Sequence, residues 1–296
     1  MAAPDTGRVT IEYDVVVGRA GNRGLRANVY MPPQPGPGRP ALLLVHGGGW
    51  VSGDRSQLHG YGILIGRLGY VCVATEYRLA GEAPWPAQLH DVKTALRWMR
   101  ANAATLGIDP AKIAVSGNSA GAHLSLMLAG TPNVPSFEGD GGHAGISTDV
   151  AASIAFYGPA QLYEPGQPLS RELEFLFGKG YSEETARAAS PVTYAAAAFP
   201  PTLLITGNKD ELVPVESSFR MYRALTSAGA AAELHVYEGA PHAFDAEPRY
   251  GRQCASIMAL FLDRHVRNPS ASNAAASADT PSAVEAGGGA AGRAAS

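Results

Sequence analysis

Cysteine is almost missing from this chain and charge is sparse, with two cysteines and 17% Asp, Glu, Lys and Arg in 296 residues. Two isolated thiols, Cys72 in an apolar strand-like run and Cys254 in the last helical segment, are too few for a disulfide framework or a thiolate metal cage. Both read as buried, idle groups. No basic cluster runs along any helix, and 23 Lys plus Arg stand against 26 Asp plus Glu, so nothing draws the chain to a phosphate backbone or an anionic membrane. Nucleic acid and membrane are accordingly not expected as partners. No apolar run is long enough to span a bilayer, and the opening MAAPDTGRVTIEYD lacks the basic start and apolar stretch of a secretory leader. The expectation is a soluble cytoplasmic protein. No metal site is expected, because no two histidines stand four apart on a helix and no Cys or His cluster has ligand spacing. Glu183 and Glu184 read as first-turn helix charges rather than as a glycosidase pair.

What is present is apolar residues, 46% of the chain, enough to bury one large core. Residues 9–17 and 25–31 have strand composition and are joined by a Gly/Asn/Arg-rich stretch, which predicts an antiparallel hairpin. From ALLLV (41–45) onward, short continuous apolar runs alternate with helical segments. Further strands are expected at 70–74, 112–116, 151–157, 202–206 and 233–237, with helices at 57–68, 87–103, 120–129, 215–228 and 250–266. In the helix over 87–103, Leu89, Val92, Leu96, Met99 and Ala103 recur at steps of three and four, giving one apolar stripe on an otherwise polar helix. Strand–helix alternation of this kind predicts an α/β protein with an open, mostly parallel sheet and helices on both faces.

Between the strand ending near 157 and the one beginning near 202 lie about forty residues, several times what a minimal crossover needs. They include Leu162, Tyr163, Leu173, Phe175, Leu176 and Phe177 and a helix start at 182–184. A small cap inserted over the sheet, about 159–199, is the simplest reading, within one domain spanning 1–267. From Asn268 the chain becomes Ala/Ser/Gly-rich without periodicity, which predicts a disordered tail over 268–296. No internal repeat is evident.

Gly117-Asn118-Ser119-Ala120-Gly121 follows the strand KIAVS and opens an apolar helix, the strand–turn–helix setting of a nucleophile elbow. A tight turn there leaves room only for small residues two before and two after Ser119, and both are glycine. Taken alone, the motif could also be a Gly/Ser-rich turn into a helix. His46-Gly47-Gly48-Gly49-Trp50 follows ALLLV directly, and its bare amides suit the oxyanion of acyl transfer. Gly48, Gly49 and Ala120 are the three expected oxyanion donors. A phosphate loop is the alternative, but no Lys-Ser/Thr partner follows.

A serine hydroxyl needs a base and an orienting acid, here in the order Ser, Asp or Glu, His. TLLIT runs into Gly207-Asn208-Lys209-Asp210-Glu211, placing Asp210 just past a strand, with Glu211 as its rival. ELHVY runs into Glu238-Gly239-Ala240-Pro241-His242, and His242 alone among eight histidines follows both serine and acid at the end of a strand. Of the others, His90, His59, His123 and His265 lie in helices, His143 in a Gly-rich loop and His235 in a strand, while His46 suits a role in holding the glycine loop. Ser119, Asp210 and His242 are therefore the expected nucleophile, acid and base. Trp50, Tyr163, Phe175 and Phe177 are candidate walls of a substrate pocket, with ordinary cap core as the alternative for them.

HGGGW, YRLA, DVKTALRW, GNSAGAHL, ASPVTY, GNKDELVP and PHAF together resemble the α/β-hydrolase carboxylesterases related to hormone-sensitive lipase and to feruloyl and acetyl esterases, over roughly 9–266. The resemblance implies the α/β-hydrolase fold with an eight-stranded sheet, no cofactor, and hydrolysis of short-chain or small aromatic esters through an acyl-enzyme. The acid lies in a G-x-x-D-x-x-V-P pattern rather than the D-P-L-x-D usual near hormone-sensitive lipase, which leans towards acetyl-xylan and feruloyl esterases or kynurenine formamidases. An aryl-formamidase or other deacylase would use the same three residues. A non-catalytic ligand binder on this fold is the reading from another class, and such binders typically lose a triad member. The expected partner is a small-molecule ester, and a homodimer stays open.

Overall fold

A computed structural model describes residues 7–34, 36–164, 166 and 169–269. The expected tail over 268–296 thus lies almost entirely outside the described residues. Eight strands form one sheet: β1 (Thr10–Ala20), β2 (Arg23–Met31), β3 (Arg39–Val45), β4 (Val71–Thr75), β5 (Ile108–Asn118), β6 (Ser153–Phe156), β7 (Thr202–Gly207) and β8 (Ala232–Tyr237). Their spatial order is β1-β2-β4-β3-β5-β6-β7-β8. β1 and β2 pair antiparallel, as does β2 with β4, and from β4 to β8 every pair is parallel. This is the expected α/β architecture.

Nine helices accompany the strands: α1 (His59–Gly66), α2 (Ala87–Ala101), α3 (Ala103–Leu106), α4 (Ala120–Gly130), α5 (Pro135–Glu138), α6 (Arg171–Phe177), α7 (Glu183–Ala188), α8 (Glu216–Ser227) and α9 (Pro248–Leu262) among the described residues. Successive strand residues point to opposite faces. In β3, Ala41, Leu43 and Val45 belong to one buried cluster with Leu89, Leu96 and Leu124 of α2 and α4, whereas Leu42 and Leu44 belong to another with Ile65 of α1 and Met258 and Phe261 of α9. Both faces are covered, which is why the inner strands read as unbroken apolar runs.

Two local expectations are corrected. The helix expected over 57–68 begins as a 3-10 turn, Arg55–Leu58, because Asp54 caps it by accepting from Ser56 N at 2.7 Å, and α1 proper starts at His59. The helix expected over 87–103 breaks at Asn102, whose side chain donates to the Trp98 carbonyl at 2.9 Å. Several polar residues of α2 are buried as well. Asp91, Lys93 and Arg97 are among them, Asp91 paired with Arg78 and both cations with Glu138 of α5.

Between β6 and β7 the chain forms α6, α7 and two 3-10 turns. Ser170 caps α6, and Ser182 and Thr185 cap α7 reciprocally. Leu176, Phe177 and Ala186 bury into the same cluster as α2 and α4, and the Leu176 carbonyl accepts from Trp85 N at 2.8 Å. This segment therefore packs on the α2/α4 side, next to the carboxyl ends of the strands.

Candidate active site

The turn from β5 into α4 leaves Ser119 at φ 53° and ψ −121°, a conformation that a side-chain-bearing residue holds only when its surroundings force it. The forcing is visible on both sides. A Cβ on Gly121 would lie 2.1 Å from the Val45 carbonyl oxygen and one on Gly117 2.3 Å from that of Gly121, so glycine is the only residue that fits either place. Ser119 N donates to the Phe156 carbonyl at 2.9 Å, tying the turn to β6.

Ser119 Oγ lies 3.0 Å from His242 Nε2, and His242 Nδ1 lies 2.6 Å from Asp210 Oδ2. The Asp210 carboxylate can only accept, so Nδ1 carries the proton and Nε2 is left to accept from the serine hydroxyl. Asp210 Oδ1 accepts from Leu212 N and Val213 N at 2.9 and 2.8 Å, and its side chain is fully buried. Glu211, the alternative acid, faces solvent. The loops after β7 and β8 are bound to each other, since Lys209 N donates to the Ala240 carbonyl and Gly239 N to Asn208 Oδ1. Asp210 and His242 are thus held by one hydrogen-bonded pair of loops.

The glycine loop runs alongside. The Gly48 carbonyl accepts from Val51 N, Ser52 N and Ser52 Oγ, which commits that oxygen to the loop's own turn. Gly48 has φ 115°, and a Cβ there would meet the Ser52 carbonyl at 2.2 Å. His46 donates from Nδ1 to the Gly47 carbonyl at 2.8 Å and stacks on Tyr77 with ring centroids 4.2 Å apart, while Tyr77 Oη donates to the His46 carbonyl. Burial pulls the His46 pKa down to about 4, so the ring is neutral. Trp50 is buried and donates from its indole to His123 Nδ1 at 3.3 Å, and His123 Nε2 donates to the Ala189 carbonyl at 2.7 Å. Burial pulls His123 down to about 4 as well. One neutral imidazole therefore connects the glycine loop to the chain following α7.

A cavity of about 1500 Å³ opens over Ser119, and Gly48, Gly49, Trp50, Ala120 and His242 line it together. Three of the four expected pocket aromatics do not. Phe177 is sealed in the core against Tyr181, Phe175 is half-exposed with the Arg171 guanidinium over its ring, and Tyr163 lies beside the Arg187 guanidinium. Their neighbours Leu162, Glu164, Glu172 and Leu173 face the cavity instead. At about 100° per residue, positions 175 and 177 of one helix point to different sides and cannot line the same wall.

Residues outside the expected set also reach the site. Tyr157, Asn118, Asp245 and Tyr61 line the cavity beside His242 and are hydrogen-bonded to one another. Nothing in their spacing marks them, since the contacts join strand ends far apart in the chain. Among the described residues no group of three or more His, Cys, Asp and Glu is placed to hold a metal, and no helix is long and apolar enough to cross a membrane. Both thiols are buried, and burial raises their pKa values, that of Cys254 to about 11.

Residues 27–225 match the BD-FAE family model. Among curated proteins, the chain is 34% identical over 262 residues to esterase LipQ of Mycobacterium tuberculosis, covering 84% of this chain and 61% of that protein. It is 35% identical over 247 residues to esterase LipC of the same organism, covering 79% and 60%. The chain thus spans about three-fifths of the length of these relatives. Esterase 2 of the planctomycete Thermogutta terrifontis superposes with a TM-score of 0.74 at 29% identity, covering 86% of this chain and 91% of that one. A truncated carbohydrate esterase from gut microbiota, at 23% identity and TM-score 0.76 over 88% and 99% of the two chains, shares the fold. With its family model matched over two-thirds of its length and its elbow, glycine loop and strand order in place, the chain belongs to the BD-FAE family of α/β-hydrolases.

Proposed function

We propose that the protein is a serine carboxylic ester hydrolase that acts on short-chain or small aromatic esters through an acyl-enzyme. The observation that carries this is the continuous line from Asp210 through His242 to Ser119 Oγ, with bonds of 2.6 and 3.0 Å, ending on a strained elbow beside the glycine loop. Ser119 Oγ attacks the ester carbonyl carbon as its proton passes to His242 Nε2. The imidazolium so formed is stabilised by Asp210. The Gly48, Gly49 and Ala120 amides receive the oxyanion, and each such donor is worth about 3–4 kcal/mol of barrier. The C–O bond to the alcohol breaks as His242 returns the proton to the leaving oxygen. Water then attacks the acyl-serine through the same base, the acid departs, and Ser119 regains its proton.

Apolar Trp50, Leu162, Leu173 and Val213 around the serine suit a hydrocarbon acyl or alcohol group. Thermogutta terrifontis esterase 2 has been captured with propionate and with butyrate, and phosphoramylated by tabun. Hydrolysis of p-nitrophenyl acetate, butyrate, octanoate and palmitate tests the reading, with Ser119→Ala alongside. The short esters should turn over, and the variant should lose ~10⁴-fold or more in kcat while remaining folded. A folded wild type inert towards all four, and towards N-formylkynurenine and aryl acetates, would leave ligand binding as the function.

A further inference from the structure

The Tyr157 ring touches His242, and its hydroxyl reaches the residues flanking Ser119 and His242 in the chain. The carbonyl of the residue before it, Phe156, accepts from Ser119 N. Its ring meets the His242 imidazole edge-on, with centroids 4.7 Å apart and planes at 63°. Its hydroxyl accepts from Asn118 Nδ2 at 3.4 Å and donates to Asp245 Oδ1 at 2.5 Å. Asn118 directly precedes the nucleophile, and Asp245 lies three residues past His242. One phenol therefore bridges the two loops whose relative position sets the serine-to-histidine bond.

The surroundings hold this arrangement in one direction. Tyr61 Oη donates to the other carboxylate oxygen of Asp245 at 2.8 Å, so the carboxylate is anchored from α1 as well. Burial, then the charge of Asp245, pushes the Tyr157 phenol far above its ordinary pKa, which keeps the proton on the hydroxyl. The hydroxyl already donates to Asp245, so its partner on the elbow must itself be a donor, which an amide supplies and an aspartate does not. Asn118 holds that orientation with its Oδ1 buried and without a partner among the described residues, an arrangement that costs free energy. Tyr157 has φ 39°, a region a bulky residue avoids. The next residue, Gly158, packs so closely that a Cβ would lie 2.6 Å from that of Ala122, and its carbonyl accepts from Ser217 Oγ. Backbone strain and an orphaned acceptor thus coincide at a single contact beside the base.

We infer that Tyr157, fixed between Asn118 and Asp245, is a positioning residue that sets the distance and ring orientation of His242 relative to Ser119. The inference rests on the esterase reading for its kinetic expression, but the brace has a physical signature of its own. Tyr157→Phe keeps the ring and removes the bridge, and Asp245→Asn removes the charged anchor. Each should lower kcat on p-nitrophenyl butyrate by ~10-fold or more with KM within about twofold, as misplacement of a catalytic group does. Thermal midpoints should stay near that of the wild type. Because the three groups act as a unit, the double variant should lose little beyond the worse single one. Wild-type kcat in either folded variant, or losses that multiply in the double, would overturn the inference. The low-field proton resonance of His242 Nδ1–H, assigned by its disappearance in His242→Gln, decides independently of turnover. It should broaden or vanish in both variants, and an unchanged signal sinks the brace. An inert wild type with the expected change in this signal would overturn the esterase reading alone.

Discussion

Ser119 spends conformational energy to present its hydroxyl. Its positive φ lies outside the ordinary regions for a residue with a Cβ and is expected to cost about 1–3 kcal/mol. Removing the hydroxyl in two different ways separates chemistry from strain. Ser119→Ala keeps the strained Cβ, whereas Ser119→Gly relieves it, so the glycine variant should be the more stable by about 1 kcal/mol in urea denaturation although both are inactive. The neighbouring glycines behave oppositely. Gly121→Ala would press a methyl group into the Val45 and His46 carbonyls at 2.1 and 2.4 Å, and it should lose at least about 2 kcal/mol of unfolding free energy together with activity. Equal stability of Gly121→Ala and wild type would show that the β5–α4 turn can open.

Helix α2 combines two kinds of packing. Leu89, Val92, Leu96 and Met99 form its fully buried apolar stripe, and their spacing announces it in the sequence. The opposite side is buried against charge: Lys93 and Arg97 share Glu138, and Lys93 also donates to the Thr131 carbonyl. With both cations nearly inaccessible and Glu138 their only carboxylate partner among the described residues, Glu138→Gln should cost about 3 kcal/mol, read as a fall in denaturation midpoint. That second face was not legible, because α5 is one turn long and carries no period that could point to α2. The strands were legible for the opposite reason. Runs such as ALLLV are covered on both faces, so burial is written residue by residue, and Ser119 and Asp210 could be read because each sits just past such a run, whereas His242 follows β8, a partly buried edge strand, and is read from its order in the chain. The pocket walls and the Tyr157 brace depend on which way side chains turn across loops, and local pattern does not carry that information. Phe175 and Phe177 show the limit, being identical, two residues apart and on different sides of one short helix.

At the scale of the molecule, two neutral histidines make stability depend on acid. Burial holds His46 and His123 near 4 against an ordinary value of 6.5. Between those values the unfolded chain binds protons that the folded one refuses, so stability is complete above about 6.5 and falls as the pH drops towards 4. The loss should reach up to about 3 kcal/mol for each ring. Thermal midpoints at pH 7.5 and 4.5 should therefore differ less for His123→Gln than for the wild type, and an equal difference would remove His123 from the account. The order of the strands has a consequence for how the protein is made. Ser119 and His242 stand 123 residues apart, and His242 arrives on the loop after β8, the last strand in the chain among the described residues. A nascent chain emerging amino-terminus first can therefore dock β1 to β7 around a complete elbow and still lack His242. The Ser119–His242 bond then forms only after the loop following β8 has been made, so every earlier folding intermediate carries the strained elbow without its imidazole partner.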